Sequence, residues 1–168
     1  MDLKKVVTGG FFVALGIVLP IGFHMVGGSS VGKMLLPMHI PVLLAGFFTG
    51  PAIGFFVGFL TPLLSSILTG MPPFSPPVAP MMMIELPIYG FLAGWLYERL
   101  KLNVFISLLI TLFAGRLVYG IAGAVLLPLF GLKGISPLYP VTAGLVTGIP
   151  GLVVQIILIP AVVKILKR

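Results

Sequence analysis

Runs of about 20 apolar residues, separated only by Gly, Pro and short charged turns, constrain this chain more than any other feature. Each is long enough to cross a roughly 30 Å hydrocarbon core as an α-helix. Hydrophobic residues fill 59% of 168 positions and charged residues only 8%, where an ordinary soluble domain has about 25% charged. Mean hydropathy is +1.26. The strict alternation of a membrane β-barrel is missing, so the expected fold is an all-α, multi-pass membrane protein.

Gly, Pro and charge mark the segment ends and predict six transmembrane helices over 5–26, 34–49, 52–69, 78–99, 103–130 and 141–166. The connections are GGSSVGK (27–33), Gly50-Pro51, GMPPFSPP (70–77), ERLKLN (98–103) and GLKGISPLYP (131–140). None can house a soluble domain, so residues 1–168 are expected to form one transmembrane domain. The N-terminal MDLKKVVTGGFFVALGIVLP has the basic start and apolar run of a signal peptide, but no small-x-small cleavage site follows, and it is expected to stay as the first span.

A net charge of +7 raises the question of nucleic acid, yet the basic residues are scattered at segment ends without an interleaved polar aromatic face. They serve better as orientation signals. With the N-terminus cytoplasmic, that side carries Lys4, Lys5, Arg99, Lys101, Lys164, Lys167 and Arg168, whereas the outer side carries Lys33 and Lys133. This bias predicts both termini inside and Gly/Ser/Pro-rich loops outside. The chain has no cysteine, which excludes disulfides and thiolate metal sites; no cofactor or metal is expected.

Two ionisable residues lie within apolar spans, Glu85 in MMMIELPIYGFLAGW and Arg116 in SLLITLFAGRLVYG. A charge at mid-bilayer costs at least about 2.5–3.5 kcal/mol, so such groups face a partner, a cavity or a solute. At 1.5 Å per residue, Arg116 lies about 20 Å into its helix and Gln155 about 21 Å into the next, both near mid-membrane. Tyr119 and Gly120 share the Arg116 face. Glu85 lies about 10 Å below the outer start of its helix, with Pro87 and Tyr89 beside it. A long Arg side chain can reach toward it, which leaves two readings: a buried ion pair that neutralises both charges, or contact with a polar solute. His39, after the first outer loop, is a further candidate for closing over a site, and His24 a weaker one.

Other features have simpler readings. Met81, Met82 and Met83 offer flexible packing rather than a metal ladder, and Trp95 and Tyr97 fit an aromatic belt. Small residues such as Gly9, Gly10 and Ala14, or Gly115, Gly120 and Ala124, permit close helix contact. Pro62, Pro87 and Pro128 can kink spans. Catalysis has little support: there is no Gly-x-Ser-x-Gly, His-Glu-x-x-His or phosphate-cradling loop, and Ser65 and Ser66 are expected to bond the helix backbone. No enzyme is expected.

The strings LPMHIPVLLAGFFTGP (36–51) and GFLTPLLSSILTGMPPFSPP (58–77), set within six spans, resemble the S components of energy-coupling factor (ECF) transporters. The resemblance covers essentially the whole chain. It implies the substrate-binding membrane subunit of an importer in a prokaryotic cell membrane, partnered by a transmembrane coupling subunit and two ATPases. The family's Ala-x-x-x-Ala docking patch corresponds here to Gly10 and Ala14, with Gly at the first position, and its closing outer loop to residues 27–37. Toppling on the coupling subunit is the implied mechanism. The strings look most like S components for pantothenate, pyrimidine precursors or the nucleoside precursor of the cobalamin lower ligand. Binding residues do not carry over by motif, so Glu85, Tyr89, Arg116, Tyr119, Gln155 and His39 are chosen on depth and chemistry. The alternatives are a stand-alone secondary carrier or channel, for which residues 1–84 and 85–168 show no inverted repeat, and a scaffold with a structural Glu85–Arg116 pair.

Overall fold

A chain that is apolar on nearly every face gives its backbone groups no partners in a membrane except one another, and helices are the local answer. The computed structural model describes residues 2–132 and 139–167, with backbone alone at 26, 28–33 and 139–145. Its elements run α1 (Leu3–Leu35), α2 (His39–Thr49), α3 (Pro51–Thr69), α4 (Val78–Gly94), α5 (Val104–Leu129) and α6 (Tyr139–Leu166), and a π-turn (Trp95–Arg99) extends α4. Local chemistry fixes several ends. Pro51 opens α3, where its missing N–H costs nothing, and Gly70 closes that helix in the left-handed region at φ 73°. The Asn103 side chain caps α5 by accepting from the Ile106 backbone N–H at 2.8 Å.

Two expectations need correction. The GGSSVGK segment, read as a loop, lies within α1, which continues to Leu35. Glycine is tolerated in membrane helices, and at the bilayer boundary a helix satisfies backbone groups that an open loop leaves to compete for water. The implied closing loop of 27–37 is therefore largely helical, and the true break comes at Leu36, in the left-handed region at φ 49°, followed by Pro37. The second helix consequently starts at His39, not 34. Its 11 residues rise only about 16 Å, half a hydrocarbon core. The other five contain segments long and apolar enough to cross a membrane: Leu3–Met25, Pro51–Thr69, Val78–Arg99, Val104–Leu129 and Val146–Leu166. Lys133 and Ser136 lie outside the described residues, as do the side chains of Ser30 and Lys33.

Short as it is, α2 sits in the core: Val42, Leu43, Ala45 and Phe47 are fully buried, with Leu86, Tyr89 and Leu108 around them. Glycines set how closely its neighbours approach. A Cβ on Gly54 or Gly58 of α3 would strike the backbone of Gly90 or Leu86 on α4, and a Cβ on Gly90 would strike Gly54 in return. Gly46 and Gly94 lie in the same seam, Gly46 against the Gly90 carbonyl and Gly94 against Gly50 and Pro51. This backbone-on-backbone contact is the membrane form of small-residue packing. Large apolar side chains such as Phe11, Phe56, Phe113, Ile121 and Ile157 point outward, as a lipid-facing surface requires.

Ser65 and Ser66 are committed structurally. Ser65 donates to the Met71 carbonyl at 2.6 Å, and Ser66 reaches the carbonyls of Pro62 and Pro72, both at 2.7 Å. They tie the 70–77 connection to the end of α3. The expected bonding to the helix backbone holds for Ser66, and Ser65 extends it to the loop.

Candidate functional site

Three helices bring polar residues of the spans together. The break at Leu36 and Pro37 lets α2 begin with His39 inside the bundle; α4 supplies Glu85 and, one turn on, Tyr89; α5 supplies Arg116. Arg116 Nη1 lies 3.4 Å from Glu85 Oε1, and His39 Nε2 lies 3.5 Å from Glu85 Oε2. The His39 and Tyr89 rings are 5.4 Å apart, tilted by 60°. Glu85 is thus the hub, one oxygen toward the guanidinium and the other toward the imidazole.

Glycines again make the room. The Tyr89 ring lies over Gly115 of α5, where a Cβ would fall within 2.7 Å of ring carbon Cδ1. On the other side, α6 approaches Arg116 at Gly148: a Cβ there would be 3.5 Å from Nη2 and 3.0 Å from Leu36 Cδ1. Gln155, two turns further along α6, is fully buried. Tyr119 is half-buried, one turn beyond Arg116 on α5. His24 lies apart, beside Ile21, Met25, Thr69 and Met71.

The burial is severe for such groups. Glu85 is 1% exposed, His39 2% and Arg116 7%. The contacts at 3.4–3.5 Å set the Arg116 guanidinium and the His39 imidazole beside the Glu85 carboxyl group but are long for direct hydrogen bonds, which for N–H to O cluster near about 2.9–3.0 Å. Among the described residues, both His39 nitrogens, Glu85 Oε1, the Tyr89 hydroxyl, Arg116 Nε and Nη2, and both Gln155 amide atoms have no hydrogen-bond partner. A buried polar group left unbonded costs about 1–3 kcal/mol, so such groups are ordinarily satisfied. Arg116 Nε and Nη2 form the side-on edge of the guanidinium, two parallel donors matched to a carboxylate or a pair of carbonyl acceptors. With Glu85 accepting and Tyr89 able to donate, the cluster suits a compact solute with several hydrogen-bonding groups.

For metal binding the donors fall short, since one imidazole and one carboxylate stand together where a structural or catalytic zinc site uses three or four protein ligands. Among the described residues no three of His, Asp and Glu cluster. Sequence reasoning placed His39 near a helix end as a secondary candidate; the structure puts it at the centre. It named Gly115 for close helix contact but not for the Tyr89 ring that lies over it, and it did not single out Gly148.

The family model for the substrate-specific component of ECF transporters matches residues 4–163. No curated protein and no solved structure matches the chain.

Proposed function

The chain belongs to the family of substrate-specific components of ECF transporters, and from that membership we propose that it captures a small water-soluble vitamin or vitamin precursor at the His39–Glu85–Arg116 cluster. It is a multi-pass membrane protein and a transporter subunit rather than an enzyme. The observation that carries the proposal is the set of buried polar atoms on α2, α4, α5 and α6 that lack partners among the described residues. A solute bonded to Arg116 and Tyr89, with Tyr119 and His39 at its edge, would satisfy those of the cluster, and Gln155, two turns along α6 from Gly148, is a further candidate contact. Pantothenate, pyrimidine precursors and the cobalamin lower-ligand nucleoside have the mixed hydrogen bonding this requires. Entry is from outside, in the cytoplasmic membrane of a prokaryote, with both termini cytoplasmic.

Delivery by toppling on a coupling subunit, driven by two ATPases, needs a smooth helix surface for docking. On α1, Gly10 has nothing within 4 Å of where a Cβ would stand, and Ala14 is exposed one turn along, whereas Gly9 and Gly16 pack on α3. Gly10 and Ala14 therefore face away from the chain's own core. Replacing either with Leu should leave the melting temperature and solute retention near wild type, while copurification of the coupling subunit and ATPases falls sharply. Failure of those subunits to copurify with the wild-type chain would favour a stand-alone carrier.

Orientation has its own check. Ser75 in the 70–77 connection and Asn103 before α5 are both exposed, at opposite ends of the bundle. In this cysteine-free chain, Ser75→Cys should react with an impermeant thiol reagent applied outside cells, and Asn103→Cys should react only after permeabilisation. The reverse pattern overturns the orientation and the direction of transport.

A further inference from the structure

At the end of the bundle that carries both termini, cations outnumber carboxylates in one place. Lys5 of α1, Arg99 and Lys101 after α4, and Lys167 after α6 line an open cleft of about 600 Å³ with Tyr97 and Glu98. Glu98 is already engaged. It pairs with Lys5 at 3.3 Å, and its carboxylate lies against Gly50 at the N-terminus of α3, where φ of 90° demands glycine and the helix dipole favours a negative charge. Asp2, the other acidic side chain at this end among the described residues, accepts the Lys4 backbone N–H at 3.0 Å. Arg99, Lys101 and Lys167 thus have no carboxylate within ion-pair distance among the described residues.

Lys167 is held in place, and the backbone that carries Lys101 is fixed. Lys167 Nζ sits 4.5 Å from the Tyr97 ring centre and 5.7 Å from that of Phe48, a cation–π arrangement that orders a long side chain. Lys101 occupies the left-handed region at φ 56°, in a turn fixed by Leu100 N–H donating to the Trp95 carbonyl and Leu102 N–H to that of Leu96. Burial of its stem holds Lys167 below the usual lysine range despite Glu98, and the charges of Lys5 and Lys101 act in the same direction. An anion in the cleft would relieve that repulsion.

The cleft's height selects the anion. It lies where the apolar segments beginning at Leu3 and Val104 start and those ending at Arg99 and Leu166 stop, which is headgroup level. Leu3, Leu100 and Leu166 are exposed around it, and Trp95, stacked on Phe91, supplies an interfacial aromatic. We propose that this cleft binds the phosphate of an anionic phospholipid, held by Arg99, Lys101 and Lys167, with an acyl chain running along the exposed apolar rim. Basic pockets between helices at a membrane face are suited to such headgroups.

Native mass spectrometry of the purified full chain tests this with phosphatidylglycerol and phosphatidylcholine of identical chains. Phosphatidylglycerol adducts should survive where phosphatidylcholine adducts dissociate, and Lys101→Gln with Lys167→Gln should weaken binding by about thirtyfold. Lys4→Gln removes a charge from the same end but outside the cleft, and should leave the preference near wild type. Equal retention of the two lipids, an unchanged preference in the double variant, or displacement by inorganic phosphate would overturn the proposal, the last by showing a soluble-anion site. If the double variant fails to fold by circular dichroism, Lys101→Gln alone carries the test, because that residue is exposed in a turn.

Discussion

Arg116→Ala should reduce solute affinity by roughly 2–5 kcal/mol, the usual loss when one partner of a buried charged contact is removed. The solute is first identified by mass spectrometry of what the gently purified protein retains, and its affinity is then measured by calorimetry. Two effects are mixed in the single substitution, since losing Arg116 also strands Glu85, which is 1% exposed. Stranding a buried charge costs about 3–5 kcal/mol of stability in its own right. The double variant Arg116→Met with Glu85→Gln separates them, because a purely structural pair is often replaceable by neutral residues at little cost. We expect that variant to melt near wild type and yet fail to retain solute. Wild-type affinity in the double variant would mean that neither residue touches the solute, and the site would then be sought around His39 and Gln155. Arg116→Lys should lie between, since an ammonium keeps the charge toward Glu85 but cannot reproduce the side-on edge of Nε and Nη2.

Depth along the membrane normal was legible in the sequence for Glu85 and Arg116 but not for Gln155, and lateral proximity was not legible at all. Counting residues from the helix ends put Arg116 and Gln155 near the same level, whereas α6 meets the Arg116 guanidinium at Gly148, two turns before Gln155; for Glu85, counted as higher, the long Arg side chain covers the difference at 3.4 Å. Nothing in the count says which helices are neighbours. His39 illustrates the gap: near a helix end it reads as interfacial, but the turn at Leu36 and Pro37 carries it into the bundle, and α2 is too short to reach both surfaces. Segment boundaries were read well where Pro, Asn or charge marks a real stop, as at Pro51 and Asn103. They failed at GGSSVGK because a Gly/Ser run signals a loop in water, whereas a membrane helix tolerates glycine and keeps its backbone bonds.

The same abundance of glycine hid the close backbone contact between α3 and α4. Gly46, Gly50, Gly54 and Gly58 recur every four residues in GFFTGPAIGFFVG, a row that the break at Gly50 divides between α2 and α3, and with 22 glycines in the chain many such rows can be drawn. The structure shows which row is used. A Cβ on Gly90 would lie 3.1 Å from the Gly54 Cα and closer still to its carbonyl, atoms that have no rotamer to change. Gly90→Ala should therefore push α3 and α4 apart and destabilise the protein by roughly 1–3 kcal/mol, as overpacking of a tight core does. Gly90→Val should cost more. Gly10→Ala is the matched control, since its Cβ meets nothing within 4 Å and alanine is the better helix former by about 0.5–1 kcal/mol. Thermal melting in detergent should thus separate two chemically identical substitutions by sign. If Gly90→Ala melts with wild type, the α3–α4 backbone contact is looser than described here, and the platform that aims Glu85 and Tyr89 into the site must be held by α2 and α5 instead.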